Sequence, residues 1–172
     1  MKRELSLFIM LAVSTICLAG GIKVKNGQAS FKNETANAIA EFDFSNTTWE
    51  GKENFKVWCK DQYENRITAI ERAFVNSFND NSKSLKISKD NSDIKYKIVI
   101  KVIDLERHQA FTGSWGQGKF STTALIIVKE ISSDMTICEI EVNGYGSGKD
   151  YDYADGLAKC YKGLAKEVCK LK

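Results

Sequence analysis

The chain of 172 residues contains no proline and a single histidine, His108. Without proline there is no proline-rich linker or stalk, and one histidine excludes metal chemistry built on several imidazoles. Charge of one sign is scarce too: 25 Lys and Arg against 22 Asp and Glu leave a net +3. That balance argues against a strongly basic nucleic-acid binder. No internal repeat and no low-complexity block appears. No CxxC pair occurs and His108 is distant from every cysteine, so the spacing of a zinc site is missing. What remains is an ordinary globular mixture, 43% hydrophobic and 27% charged, long enough for one domain with a real core.

The N-terminus reads as an address. Lys2 and Arg3 are followed by an apolar run from Leu5 to Ala19, then by Gly20 and Gly21. Basic, apolar, then small is the layout of a secretory signal peptide, and the run falls short of the ~20 residues that span a bilayer. Residues 1–21 are therefore expected to be a signal peptide, with a retained anchor as the alternative. Cys17 is preceded by Ser14, Thr15 and the bulky Ile16, a poor match to the small-residue pattern before an acylated cysteine. Membrane association is expected only through Cys17 lipidation or a retained N-terminal segment.

Residues 22–37 form a polar lead-in, and 38–172 are expected to form a single α+β domain. Ile39–Phe44 reads as a short strand. From Asn54 to Asn79, Phe55, Cys59, Tyr63, Ile67, Ile70, Phe74 and Phe78 recur at steps of three and four, one continuous helical stripe. Ile94, Tyr96, Ile98, Ile100 and Val102 alternate along a strand with one apolar face. Phe120–Ile131 is apolar on both faces at its centre, and Thr136–Val142 is the last strand. A glycine-rich loop, Gly144–Gly148, leads into a closing helix whose inner stripe includes Leu157, Tyr161, Leu164 and Val168. This order predicts an α+β fold of two layers: a mainly antiparallel sheet of about four or five strands with two amphipathic helices on one face.

Four stretches carry a resemblance: "IAEFDFSN" from Ile39, "RITAIERAFVNSF" from Arg66, "DIKYKIVIKVIDLE" from Asp93 and "GYGSGKDYDYADGLAKCYKGLAKEV" from Gly144. Over residues 38–170 the chain resembles small periplasmic or outer-membrane-associated bacterial domains. These include the sheet-and-helix domain of curli-secretion-type lipoproteins, the N-terminal domain of TolB-like proteins, and related lipoproteins. The resemblance implies an envelope location, no catalysis and a role in assembly or binding. It supplies no functional residues.

Beyond the signal segment lie Cys59, Cys138, Cys160 and Cys169. In an exported chain four cysteines suggest two disulfides. Cys160 and Cys169 sit on one helix, about 13 Å apart along its axis and on opposite sides, so they do not pair with each other. If the two helices run oppositely, Cys59 meets Cys169; if they run the same way, it meets Cys160. Cys59 with Cys169 is the favoured pairing, and buried unbonded thiols are the alternative.

Gly113–Lys119 matches GxxxxGK, but Phe120 stands where a phosphate loop needs Ser or Thr, and a strand follows instead of a helix. Phe111, Trp115 and Phe120 instead read as a recognition tip on the 108–119 hairpin, possible contacts for a partner. Asp150, Asp152 and Asp155 lack EF-hand spacing and suit the start of a helix. Lys95, Lys97 and Lys101 share one strand face, with Glu139 and Glu141 on the polar face of the last strand. His108 reads as a surface or loop residue, with no nucleophile partner legible nearby. No cofactor, metal or catalytic residue is expected. The resulting expectation is an exported bacterial envelope protein with a non-catalytic binding or assembly role and an unidentified protein or envelope partner. The alternative is a small secreted inhibitor or immunity-type protein acting through the 108–119 hairpin.

Overall fold

A computed structural model describes residues 21–88, 93–109 and 118–172. In chain order these form β1 (Gly21–Gly27), a 3-10 turn (Ala29–Asn33), β2 (Asn37–Asp43), β3 (Thr48–Trp49), β4 (Glu53–Asn54), α1 (Phe55–Cys59), α2 (Tyr63–Asn81), β5 (Lys86–Ile87), β6 (Ile94–Gln109), β7 (Gly118–Glu130), β8 (Thr136–Asp150) and α3 (Tyr153–Val168).

The strict alternation from Ile94 to Val102 becomes β6, at the centre of the sheet. The strand order is β1-β8-β7-β6-β2-β5, with β3 and β4 attached beside the far half of β6. The expected sheet of four or five mainly antiparallel strands is thus corrected to a mixed sheet of eight. The pairs β1–β8, β8–β7 and β7–β6 are antiparallel, whereas β2 runs parallel to both β6 and β5, and β3 parallel to β6. The reason is a crossover. The chain leaves β2, returns along α2 and re-enters the sheet, which sets the next strand in the same direction. β6 is also too long for one neighbour. β2 pairs with Ile94–Lys101 and β3 continues that edge at Asp104 and Leu105. Thr47, fully buried, bridges the junction by donating from Oγ1 to the Val102 carbonyl at 2.7 Å.

Two stretches expected outside regular structure belong to the sheet. Gly21–Gly27, from the last residue of the expected signal segment into the lead-in, is the edge strand β1, and Phe31 just after it is buried against Tyr96. The glycine-rich 144–148 stretch is the far half of β8, which bulges at Gly144 (φ +54°).

Both long helices pack on the same sheet face. Phe74 of α2 meets Phe42 edge-on at 5.6 Å, and Tyr161 of α3 lies 6.4 Å from the same ring. The helical stripe is broken once: Lys60 adopts φ +54° and separates α1 from α2. Asp152 caps α3, its carboxylate accepting from the amides of Ala154 and Asp155 at 2.7 and 3.0 Å. The helices run the same way. Arg66 and Tyr153 meet at their N-terminal ends, and Ser77 Oγ donates to the Lys162 carbonyl at 2.7 Å further along. Phe55, Ile70, Phe74, Phe78, Ile100, Ile126, Ile140, Tyr161 and Leu164 are all fully buried between the layers. Burying each such side chain contributes about 1.5–3 kcal/mol before entropy is counted.

Candidate functional site: the open sheet face

Helices cover one face of the sheet. Among the described residues no element covers the other. Period-two alternation assigns that open face strand by strand: Lys23 and Lys25 on β1, Glu139 and Glu141 on β8, Leu125 and Ile127 on β7, Lys97, Val99, Lys101 and Ile103 on β6, Glu41 and Asp43 on β2. Ile103 is 51% exposed. Leu125, Ile127 and Val99 are half-buried among longer charged side chains.

The charges pair with their nearest strands. Lys97 meets Glu41 at 2.7 Å and Lys23 meets Glu141 at 2.9 Å, while Lys95 bonds to Glu34. The Lys23 ammonium holds the Glu141 carboxyl below its usual range, and the bond to Glu34 raises Lys95. Ser45, first, and Lys101 keep Asp43 low. Lys97 and Lys101 do not meet Glu139 and Glu141 within the chain, because apolar β7 stands between β6 and β8.

At one end of this face, His108 Nε2 lies 2.9 Å from Ser121 Oγ and 3.0 Å from Glu106 Oε2. Sequence reasoning missed this trio because the β6–β7 register brings it together. It is not a nucleophile–base–carboxylate relay. One ring nitrogen serves both neighbours, whereas a relay needs the carboxylate on the other nitrogen.

A second cluster missed from sequence closes the end of the core where both helices begin. Trp49 and Trp58 stack at 3.8 Å, and Arg66 lies over Trp58 at 4.4 Å. Arg107 lies 4.8 Å from the Tyr153 ring centre and donates from Nη1 to the Tyr153 hydroxyl at 3.0 Å. The aromatic density of Trp49, Phe55 and Trp58 within ten residues is the signal that marks it.

Of the proposed recognition tip, Phe111 and Trp115 lie outside the described residues, as does Cys17. Phe120 is corrected: it is fully buried, with the Tyr153 ring edge-on at 5.7 Å. It shares the inward parity of Thr122, Ala124 and Ile126 on β7.

No disulfide joins Cys59, Cys138, Cys160 and Cys169, which corrects the expected pairing. Parallel helices explain why Cys59 and Cys169 do not meet. Cys59 sits at the N-terminal end of the helix layer, and Cys169 at the opposite end, 3.8 Å from the Phe78 carbonyl. Burial raises the thiols of Cys59 and Cys138, and pushes Cys169 up to about 11. Cys169 lines a small cleft with Lys32 and Asn81, but a raised thiol is the reverse of an activated nucleophile.

These groups set an alkaline limit. Burial also raises the Tyr161 phenol, whose hydroxyl shares a hydrogen bond with Thr122 at 2.9 Å. Both side chains ionise at lower pH when unfolded, so the folded chain holds more protons above about pH 9 and stability falls as pH rises. Denaturant titrations at about pH 8, 9.5 and 11 should show a progressive loss, and Cys169→Ala should reduce its early part. Lys32, lowered by burial, acts in the opposite sense and is coupled to Cys169, so Cys169→Ala reads the net contribution of the pair. A midpoint independent of pH over this range would refute the assignment.

No helix among the described residues is long and apolar enough to cross a membrane. No protein-family model matches the chain, and neither does any curated protein. Among solved structures, the chain is similar to the PelC dodecamer from Paraburkholderia phytofirmans, with a TM-score of 0.49 and 11% identity over 87% of this chain and 96% of that one. It is also similar to protein XCC0632 from Xanthomonas campestris, of the family DUF330, with a TM-score of 0.47 and 10% identity over 79% of this chain and 82% of that one. These matches do not confirm the curli-secretion-type or TolB-type resemblance.

Proposed function

We propose that the protein is an exported component of a bacterial cell envelope with a non-catalytic binding or assembly role, exerted through its open sheet face. The observation that carries this reading is the face itself: five neighbouring strands present half-buried Leu125, Ile127 and Val99 within paired charges. A sheet face with an apolar centre and a charged surround has the anatomy of a protein contact surface. The N-terminal run from Lys2 to Gly21 supports export. The one-nitrogen geometry at His108 and the raised Cys169 thiol support a role without covalent chemistry.

The test is a photo-crosslinking amino acid at Ile127 in cells, followed by fractionation. The expected result is protein in the envelope fraction with discrete cross-linked species from Ile127. The same probe at Thr68, exposed on α2, should give none. A cytosolic protein, or identical patterns at both sites, would sink the reading.

A further inference from the structure

The open face carries a charge order that depends on strand order alone. One register row crosses five strands: Asp43 on β2, Lys101 on β6, Leu125 on β7, Glu141 on β8 and Lys23 on β1. Its signs read minus, plus, neutral, minus, plus. The sequence about Leu125 is antisymmetric, since each charge has its opposite at the same distance on the other side. The next row, Glu41, Val99, Ile127 and Glu139, is apolar at the same central strand but is not antisymmetric, since uncharged Val99 stands opposite Glu139, so the charge match rests on the Leu125 row alone.

An antisymmetric row is complementary to itself. Rotation by 180° about an axis in the interface along β7 lays β6 of one copy over β8 of the other, and β2 over β1. Lys101 then faces Glu141 of the second copy, Asp43 faces Lys23, and Leu125 faces Leu125. The perpendicular in-plane axis lays β6 over β6 and β8 over β8, setting like charges together. Two sheets packed face to face lie about 10 Å apart with strands crossing by about 30°, which a tilt of the axis by about half that angle provides. Strand spacing and rise give a face of about 600 Å² per copy, at the small end of specific interfaces.

We propose that the open face binds the open face of a second copy of this chain, in a two-fold dimer whose axis runs along β7. The inference rests on the binding role assigned to that face above and names its occupant. The contact is modest in area and partly electrostatic, so the dimer is concentration-dependent and weakened by salt.

The experiment is sedimentation of protein purified from the cells that make it, with the single variants Lys101→Glu and Glu141→Lys alone and mixed. Each variant alone sets two like-charged contacts across the axis. The mixture sets two opposite-charged contacts, because each copy supplies the sign the other lacks. Each variant alone should raise the dimer dissociation constant by about tenfold or more, and equimolar mixing should restore it. Both positions are on the surface, and a misfolded variant would not be rescued by mixing. Wild-type protein that stays monomeric at all concentrations would overturn the proposal. So would an oligomer indifferent to both substitutions, or one that mixing fails to restore. If the monomer still gives Ile127 cross-links in the envelope, self-pairing fails while the binding role of the face stands.

Discussion

Replacing Phe74 with alanine should cost about 3–5 kcal/mol of folding stability, a large share of the 5–15 kcal/mol available to a domain of this size. Phe74 is fully buried at the centre of the helix–sheet interface. Its ring meets Phe42 edge-on at 5.6 Å with an interplanar angle of 84°, and Phe78 at 6.2 Å on its own helix. Truncation removes the apolar area of the ring and leaves a void between rigid elements that only partly relax. The melting temperature should fall by about 6–20 °C, taking 2–4 °C per kcal/mol. Val57, two-thirds exposed on α1, supplies the contrast: its truncation should change stability by no more than about 0.5 kcal/mol. If calorimetry finds the two variants alike, α2 is not packed as described.

Gly156→Ala should destabilise the protein although alanine is the better helix former. Propensity alone favours alanine inside α3 by about 1 kcal/mol. The added Cβ, however, would stand 2.1 Å from Cε2 and 2.3 Å from Cδ2 of Phe120. That ring cannot swing aside, because Tyr153 and the Arg107 guanidinium bound it at 5.7 and 5.8 Å. Overpacking of this kind costs typically 1–3 kcal/mol beyond any propensity gain, so the steric effect wins. A double-mutant cycle with Phe120→Leu checks the cause. The smaller side chain should recover part of the loss, with a coupling of about 1 kcal/mol or more. A stabilised Gly156→Ala protein would mean that Phe120 does not lie under α3.

Residues whose signal is periodic were legible from sequence. The stripe from Phe55 to Phe78 and the alternation from Ile94 to Val102 both map onto buried faces, because each period is set by local backbone geometry. Strand direction was not legible, since an alternating strand looks the same whether its neighbour is parallel or antiparallel. Hence the β2–β6 pairing, and with it the relative direction of the helices and the cysteine pairing, came out differently. The glycines and lysine beside Phe120 suggest a loop tip, while its parity with Ala124 and Ile126 on β7 points inward. The lysines of β6 and the glutamates of β8 were visible as residues. Their arrangement around β7 required the strand order.

The pairing of β1 with β8 joins Gly21 to Asn143 and Gly27 to Cys138. The first strand to emerge during synthesis therefore finds its partner only after more than a hundred further residues. At 5–20 residues per second that interval is about 5–25 s. Such a contact raises contact order and slows folding, because loop closure must precede any gain from the ladder. If the chain is exported as proposed, a sheet whose edge strand β1 is closed only when β8 arrives delays completion of the fold until most of the chain has been made.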